Sequence, residues 1–374
     1  MKRLIILAAV LLIGVFSVFT LGAEPMYKIG LVFDLGGRGD NSFNDSAYAG
    51  LVAIAKAYKG YIEGDPSKVN FGSEVQIKYM EPKAGGQDRE ILMRALAEDG
   101  YNLIYGVGFM FTDSLSKVAA EFPDIHFCLI DGYVPDLTES SNITCLSFKE
   151  NEGSFLVGAI AAFKAKGQKI GFLGGMDIPL IHRFDNGFQA GAMYVNKAYR
   201  KPGMILSQYV GKDELAFVDP VRGYNIASSL YKQGAAIIFH AAGGSGDGLF
   251  KAAQEVKKWS IGVDSDQGLA YASAKEAATK ARAAWILTSM LKRVDNSVFL
   301  STKDFIAADG SLAGGYRSFD LKIYGVGYAV NNSNKANLAD VQARVDALKE
   351  SIVTGQIVVP DENTDMAEWV KTLP

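Results

Sequence analysis

The segment YKIGLVFDLGGRGDNSFNDS, residues 27–46, joins three local patterns in one stretch. Tyr27–Phe33 is an apolar run of strand length, and a glycine-rich loop follows it. Ala47–Ala55 then has amphipathic helical spacing, so the predicted order is strand, loop, helix. The loop carries acidic, amide and aromatic side chains to the carboxyl end of the first strand. Ligands of open α/β sheets bind at that edge, and we therefore expect a binding site there.

The same alternation continues along the chain. Apolar or alternating stretches predict further strands at Glu74–Met80, Leu103–Gly108, Ile125–Ile130, Lys169–Gly175, Ile205–Val210, Ala235–His240 and Ser260–Asp264. Helical patterns occur at Asp88–Glu98, Asp113–Glu121, Glu152–Phe163 and Gly187–Asn196. This order predicts an α/β architecture of parallel, doubly wound sheets. The pattern restarts near residue 150 of 374, so we expect two lobes that face each other across a cleft.

Composition argues against several classes of partner. The formal net charge is −3, so the chain has no basic excess of the kind that nucleic-acid binding uses. It has three histidines and two cysteines, without Cys-x-x-Cys or His-x-x-x-His spacing, and we expect neither a metal site nor a cofactor. Cys128 and Cys145 lie in apolar, strand-like runs, which predicts two buried free thiols.

Residues 1–23 have the pattern of a secretory signal peptide. Lys2 and Arg3 precede the almost wholly apolar run Leu4–Leu21, and Gly22 and Ala23 supply small residues for cleavage. An uncleaved membrane anchor is the alternative, because the run is just long enough to span a bilayer. No cysteine lies near the boundary. We therefore expect an exported, periplasmic or otherwise extracytoplasmic protein that is not a lipoprotein.

Seven motifs, in a fixed order along the chain, carry a resemblance to one family. They are Phe33–Gly37, Asp40–Asn44, Phe148–Gly153, Gly171–Pro179, Arg183–Phe188, Ala242–Gly246 and Ile261–Gln267. Together they resemble the basic membrane protein (BMP/Med, PnrA-like) family of ABC-transporter substrate-binding proteins, which includes purine nucleoside receptors. The resemblance covers nearly all of the chain after the signal segment. Many members are lipoproteins, and this chain departs from them because it lacks the anchoring cysteine.

The resemblance implies a type I periplasmic-binding-protein fold, in which two Rossmann-like lobes are joined by three hinge crossings. The crossings are expected near 146–150, near 265–267 or shortly after, and around 311–320. The segment Ile286–Met290 would then return to the N-terminal lobe, with Leu291–Ala308 as its helix.

These crossings set the expected lobe boundaries. The N-terminal lobe would comprise residues 24–147 and 268–312. The C-terminal lobe would comprise residues 148–267 and 313–374.

A purine nucleoside has two flat faces and a polar base edge, and candidate side chains match them. Phe43 and Phe184, one from each lobe, would stack on the base, and core packing is the alternative for each. Asp34 ends the first strand, and the resemblance assigns the matching aspartate to the base edge. Capping of nearby loop amides is its alternative role. Leu35 stands where some nucleoside receptors of the family carry asparagine, so base recognition would differ in detail.

Further candidates lie mainly in the second half of the chain. The resemblance implies that Asp264 holds the ribose hydroxyls and that Lys292 reaches the sugar; a surface helix position is the alternative for Lys292. Gly243 and Gly244 would let backbone amides approach the ligand closely. Asp113 would either contact the ligand or cap its own helix.

The expected function is capture of a purine nucleoside, such as adenosine, guanosine or inosine, without chemistry on it. The lobes would close by hinge motion, and an ABC permease of the inner membrane would receive the solute from a monomeric receptor. Riboflavin or a sugar is an alternative solute for the same role. A nucleoside hydrolase is the alternative class, because Asp34, Asp40 and Asp45 loosely suggest an acidic calcium loop. Against it, the sequence shows no Ser-His-Asp or Cys-His pair.

Overall fold

The structure is a computed structural model that describes residues 26–83 and 85–373. The predicted signal segment, residues 1–23, lies outside these described residues. Across the described part of the chain, none of the helices combines the length and the apolar character needed to cross a membrane.

Strands and helices alternate along most of the chain, as predicted. The strands are β1 (Tyr27–Val32), β2 (Tyr61–Ile62), β3 (Val75–Met80), β4 (Leu103–Val107), β5 (His126–Ile130), β6 (Ile143–Phe148), β7 (Ile170–Met176), β8 (Ile205–Gly211), β9 (Ile237–Ala241), β10 (Trp259–Asp264), β11 (Ile286–Lys292), β12 (Gly315–Phe319) and β13 (Val326–Tyr328). The helices are α1 (Phe43–Ala57), α2 (Arg89–Glu98), α3 (Thr112–Glu121), α4 (Glu150–Ala165), α5 (Pro179–Val195), α6 (Pro220–Lys232), α7 (Gly246–Val256), α8 (Gln267–Ala272), α9 (Ala277–Arg282), α10 (Val294–Ala307), α11 (Lys335–Leu338), α12 (Gln342–Val353) and α13 (Met366–Lys371). Three short 3₁₀ turns also bear on the site, Phe109–Phe111, Glu214–Phe217 and Gly243–Ser245.

The first sheet has the strand order β12-β6-β5-β4-β1-β3-β2, and all its pairings are parallel. Strand β1 lies between β3 and β4, so Ile29 pairs in register with both Ile77 and Leu103. Ile29 and Leu31 are fully buried, as expected for a parallel sheet that is covered on both faces. This sheet, with the helices packed on it, including α1 and α10, forms the N-terminal lobe.

The second sheet has the strand order β13-β11-β10-β9-β7-β8. Its pairings are parallel except that β13 runs antiparallel to β11. Helices α4 and α5 pack on each other, and α4 also packs against β11 and β13. These elements form the C-terminal lobe.

The chain passes between the lobes three times, as the fold class implies. The first crossing joins β6 to α4 at Lys149, and the third follows Phe319, at the end of β12. Both lie within or next to the predicted regions. The second crossing was expected near 265–267 or shortly after, and it occurs instead at Arg293, between β11 and α10.

Two predicted segments therefore change lobe. Strand β11 pairs with β10 and β13, so Ile286–Met290 lies in the C-terminal lobe, and its following helix begins at Val294, not Leu291. Strand β12 pairs with β6 and belongs to the N-terminal lobe, although residues 313–374 were all predicted for the other. An apolar run identifies a buried strand, but the sheet that the strand joins depends on hydrogen-bond partners far away in sequence.

Both cysteines and two of the histidines lie in the cores. Cys128 and Cys145 are buried free thiols on the paired strands β5 and β6, as predicted. His126 and His240 are buried as well, and burial lowers the pKa of each imidazole to about 4. Both imidazoles are therefore neutral near pH 7.

Candidate functional site

An interlobe cavity of about 260 Å³ lies between the carboxyl ends of strands from the two sheets. The residues that line it are Asp34, Leu35, Gly36, Arg38, Gly39, Asp40, Phe43, Asn44, Gly108, Phe109, Asp131, Leu180, Ile181, Phe184, Phe217, Val218, Pro220, Ala241, Gly243, Gly244, Val263, Asp264 and Lys292. The loop after β1, which the opening sequence pattern singled out, supplies much of the N-terminal-lobe wall. A concave, partly apolar site with a few convergent polar groups is the usual form of a small-molecule site.

The structure brings seven of the eight sequence-predicted site residues to this cavity. They are Asp34, Phe43, Phe184, Gly243, Gly244, Asp264 and Lys292. Asp113 is not among the lining residues and lies exposed in the first turn of α3. The preceding turn presents Phe109 to the cavity and buries Phe111, so the chain has already turned away before Asp113.

Lys292 is the most deeply enclosed charge of the site. It ends strand β11 instead of lying on a surface helix, and its side chain is 2% exposed. Its Nζ lies 2.5 Å from Asp131 Oδ2 and 3.0 Å from Glu150 Oε1. Burial alone would lower the lysine pKa, but the charges of Asp131, Glu150 and Asp264 raise it above its ordinary value. Lys292 therefore stays a cation at any physiological pH.

Three phenylalanine rings surround this ammonium group. The distance from Lys292 Nζ to the ring centroid is 5.2 Å for Phe43, 5.5 Å for Phe184 and 5.1 Å for Phe148. All three lie within the range of cation–π attraction. Phe43 begins α1 of the N-terminal lobe and Phe184 lies on α5 of the C-terminal lobe. The two predicted stacking residues thus reach one cavity from opposite lobes.

Asp264 links the two lobes at the cavity wall. It ends strand β10 with φ +62°, a left-handed conformation that is uncommon for a non-glycine residue and recurs at functional sites. Ser42 Oγ, from the opposite lobe, donates to its Oδ2 at 2.5 Å. Burial raises the Asp264 pKa to about 7, against the lowering effect of Lys292 and the Ser42 bond. Asp40 and Asp131 add to the rise.

Asp34 belongs to a different charge cluster. Its Oδ1 accepts hydrogen bonds from the Leu35 amide at 2.8 Å and from Arg89 Nη2 at 3.0 Å. Burial raises the Asp34 pKa, whereas the Arg89 charge and these bonds lower it. Gly108 (φ +108°) makes room for the carboxylate, because a Cβ there would lie 2.3 Å from Asp34 Oδ2. The carboxylate is therefore held in place by N–H donors and by the close approach of the Gly108 backbone.

Sequence reasoning missed several lining residues. Asp131 directly follows β5, and it carries the same signal that identified Asp34 and Asp264, an aspartate at the end of a buried strand. Burial raises its pKa to about 6, although the Lys292 charge opposes the rise. The apolar wall from the C-terminal lobe, which includes Ile181, Phe217 and Val218, had no signal, because its residues come from separate turns and helices.

The arrangement suits a flat, polar solute with hydrogen-bond donors. Aromatic faces come from both lobes, and carboxylates stand in two separate clusters, one around Arg89 and one around Lys292. Within the described residues, no group of three or more His, Cys, Asp or Glu side chains is placed to hold a metal ion.

Comparison with known proteins gives a consistent result. The sequence model of the Bmp family, described as "ABC transporter substrate-binding protein PnrA-like", matches residues 27–363. The CD4+ T-cell-stimulating antigen of Listeria monocytogenes is 34% identical over 346 residues, which cover 90% of this chain and 88% of that protein. The ABC transporter nucleoside-binding protein BmpA of Lactococcus lactis subsp. cremoris is 30% identical, with coverage of 90% and 89%.

A solved structure extends the comparison to the fold. The crystal structure of an ABC transporter system solute-binding protein from Aeropyrum pernix K1 has a TM-score of 0.73 and 27% sequence identity, and covers 92% of this chain and 96% of that one. The residues that match the family model, 27–363, include the strands of both sheets and the residues that line the cavity. The chain therefore belongs to the PnrA-like family of ABC transporter substrate-binding proteins and has the type I periplasmic-binding-protein fold.

Proposed function

We propose that the protein is an extracytoplasmic receptor for a purine nucleoside such as adenosine, guanosine or inosine. Its lobes close on the nucleoside by hinge motion, and it delivers the solute to an ABC permease without altering it. The observation that carries this proposal is the pairing, in one interlobe cavity, of a phenylalanine from each lobe with two separate carboxylate clusters.

The aromatic residues support a planar ligand. Phe43 and Phe184 approach the cavity from opposite lobes, so a base between them would touch both and would favour the closed form. Stacking of a base on an aromatic side chain contributes about 1–3 kcal/mol. A solute therefore gains the stacking energy of both rings only when the lobes are closed.

The two carboxylate clusters support a ligand with polar groups at two ends. Asp34 would accept hydrogen bonds from N–H groups of the base edge, while Asp264 would accept them from ribose hydroxyls. Lys292, whose charge acts on the Asp264 carboxylate and whose Nζ pairs with Asp131, would donate to the sugar oxygens. The Lactococcus lactis relative is named a nucleoside-binding protein, which supports a nucleoside as the ligand.

Isothermal titration calorimetry tests the proposal. The protein is stripped of bound solute by unfolding and refolding, and is then titrated with adenosine, guanosine, inosine, riboflavin and ribose. We expect saturable heat from at least one of the nucleosides. Flat heats for all three would overturn the purine assignment, and a response to riboflavin or ribose alone would reassign the solute.

Product analysis of the same mixtures tests the absence of chemistry. Chromatography after prolonged incubation is expected to return only intact nucleoside. Release of free base would show hydrolysis and would contradict the receptor role.

A further inference from the structure

A guanidinium outside the cavity joins carboxylates from both lobes. Arg89, the first residue of α2, has a side chain that is only 7% exposed. Its Nη2 lies 3.0 Å from Asp34 Oδ1 and also pairs with the Glu214 carboxylate. Asp34 and Arg89 belong to the N-terminal lobe, whereas Glu214 begins the 3₁₀ turn after β8 in the C-terminal lobe. The ion pair therefore spans the cleft.

Arg89 is held on the N-terminal lobe by contacts that do not depend on Glu214. Its Nη1 donates to the Gly86 carbonyl at 3.2 Å, and its guanidinium lies 5.5 Å from the ring centroid of Phe111. A Cβ at Gly86 (φ +78°) would lie 2.4 Å from Arg89 Nη1, so the glycine leaves the guanidinium its space. When the lobes separate, Arg89 stays with Asp34 and only Glu214 leaves.

We propose that Arg89 and Glu214 form a latch that stabilises the closed form. Neither side chain lines the cavity that the described residues form. Arg89 is a positioning residue, because it orients the Asp34 carboxylate toward the cavity. Glu214 contributes to closure and makes no contact with solute. The latch rests on the hinge closure of the proposed function, but not on the identity of the solute.

The partial burial of Arg89 and Glu214 strengthens the attraction between them. Exposed ion pairs contribute little, whereas hydrogen bonds to charged groups in sheltered positions contribute more. Glu214 is 22% exposed at its side chain, and it shares one guanidinium nitrogen with Asp34. Loss of the Glu214 charge removes an attraction that exists only when the lobes meet.

A crosslinking rate in ligand-free protein tests the latch without any solute. Ser42→Cys and Ser265→Cys place thiols at a contact between the lobes, where Ser265 Oγ donates to the Ser42 carbonyl at 3.0 Å. The native Cys128 and Cys145 are buried and do not compete. Under a mild oxidant, the rate of disulfide formation follows the population of closed molecules. We expect Glu214→Gln to slow this rate roughly three- to tenfold.

Glu121→Gln is the matched control. Glu121 pairs with Arg94, which lies on α2 like Arg89, but Glu121 and Arg94 both belong to the N-terminal lobe. This control should leave the crosslinking rate unchanged, and Glu214→Asp should restore part of the rate. An unchanged rate in Glu214→Gln would overturn the latch. Failure of the parent cysteine pair to crosslink would contradict the closed arrangement on which the latch depends.

Titration with guanosine separates the latch from the choice of solute. If guanosine binds the wild type, Glu214→Gln should bind it several-fold more weakly through faster dissociation. Flat heats with guanosine, adenosine and inosine, together with a slowed crosslinking rate, would overturn the nucleoside assignment and leave the latch in place. Normal guanosine binding in Glu214→Gln, together with an unchanged crosslinking rate, would support the nucleoside assignment and overturn the latch.

Discussion

Lys292 shows how strongly one residue depends on its surroundings. Its ammonium is buried among three phenylalanine rings and is paired with Asp131 and Glu150. Removing one partner of such a buried pair leaves an uncompensated charge, which destabilises a protein strongly. The carboxylates therefore hold the lysine in a charged and oriented state before any solute arrives.

Phe43→Ala tests the stacking role at the scale of one side chain. The loss of a stacking face worth about 1–3 kcal/mol should weaken nucleoside binding roughly fivefold to 150-fold. Calorimetry measures the affinity, and circular dichroism checks that the fold is retained. Phe71→Ala is the control, because Phe71 belongs to the same lobe, is 50% exposed and does not line the cavity. Unchanged affinity in Phe43→Ala would remove Phe43 from the site.

The pH dependence of stability tests the buried carboxylate Asp264. Its pKa is raised from 3.8 to about 7, mainly by burial, so the folded protein holds this proton more firmly than the unfolded chain. The stabilisation that this raised pKa provides is present in full below about pH 4 and is lost as the pH rises toward 7. Asp264→Asn removes the titrating carboxyl group. The thermal midpoint of this variant, relative to that of the wild type, should therefore rise progressively as the pH is raised from 4.5 to 7.

Asp124→Asn, at an exposed position, is the control for this measurement. Its difference from the wild type should stay constant over the same pH range. A constant difference for Asp264→Asn as well would show that Asp264 ionises normally in the folded protein. The experiment is done without solute, because a bound ligand would change the surroundings of the carboxylate.

At the scale of elements, α4 and α5 are packed backbone to backbone. A Cβ at Gly191 of α5 would lie 1.9 Å from the Phe155 carbonyl oxygen of α4. A side chain there would force the two helices apart and disturb Phe184, which α5 carries to the cavity. The same helix pair thus provides both a core contact and one wall of the site.

Gly191→Ala should therefore destabilise the protein by about 1–3 kcal/mol or more, as overpacked cores do. Chemical denaturation followed by circular dichroism measures this loss. Gly268→Ala is the matched control, because Gly268 also lies in a helix but its Cβ would meet its nearest neighbour at an ordinary 3.5 Å. Equal stability of the two variants would contradict the close approach of α4 and α5.

The loop after β1 contains local hydrogen bonds of a kind that the sequence can predict. Asp40 accepts hydrogen bonds from the amides of Ser42, Asn44 and Asp45, and Asp45 in turn accepts from Gly39 and Asn41. Aspartates near a helix start commonly act in this way. Such bonds are local, so residue type and spacing suffice to predict them.

At the scale of the whole molecule, contacts across the cleft describe a closed arrangement. Ser42 reaches Asp264 and Ser265 at one point, and Arg89 meets Glu214 at another. We expect removal of the solute to favour separation of the lobes about the three crossings. Small-angle X-ray scattering should then give a larger radius of gyration for ligand-free protein than for guanosine-saturated protein. Identical scattering curves would show that closure does not depend on solute.

The sequence by itself determined the alternation of strands and helices, the two-lobed architecture and seven of the residues that line the cavity. The alternation and the lobes follow from the period of apolar residues, and the choice of Asp34 from an acidic residue at a strand end, both of which are local signals. The roles expected for Asp264 and Lys292 came from the resemblance to the family. Asp131 was equally readable by the strand-end rule. Asp113 shows its limit, because a short turn directs the side chain away from the cavity.

Only the tertiary structure decided which sheet β11 joins, and with it the burial of Lys292. It also decided the meeting of Arg89 with Glu214, which are 125 residues apart in the chain. The spacing of apolar residues and the residue type indicate whether a position is buried, but not which distant residue covers it. That choice is made when the lobes pack and close, because hydrogen bonds and ion pairs across the cleft form only in the assembled molecule.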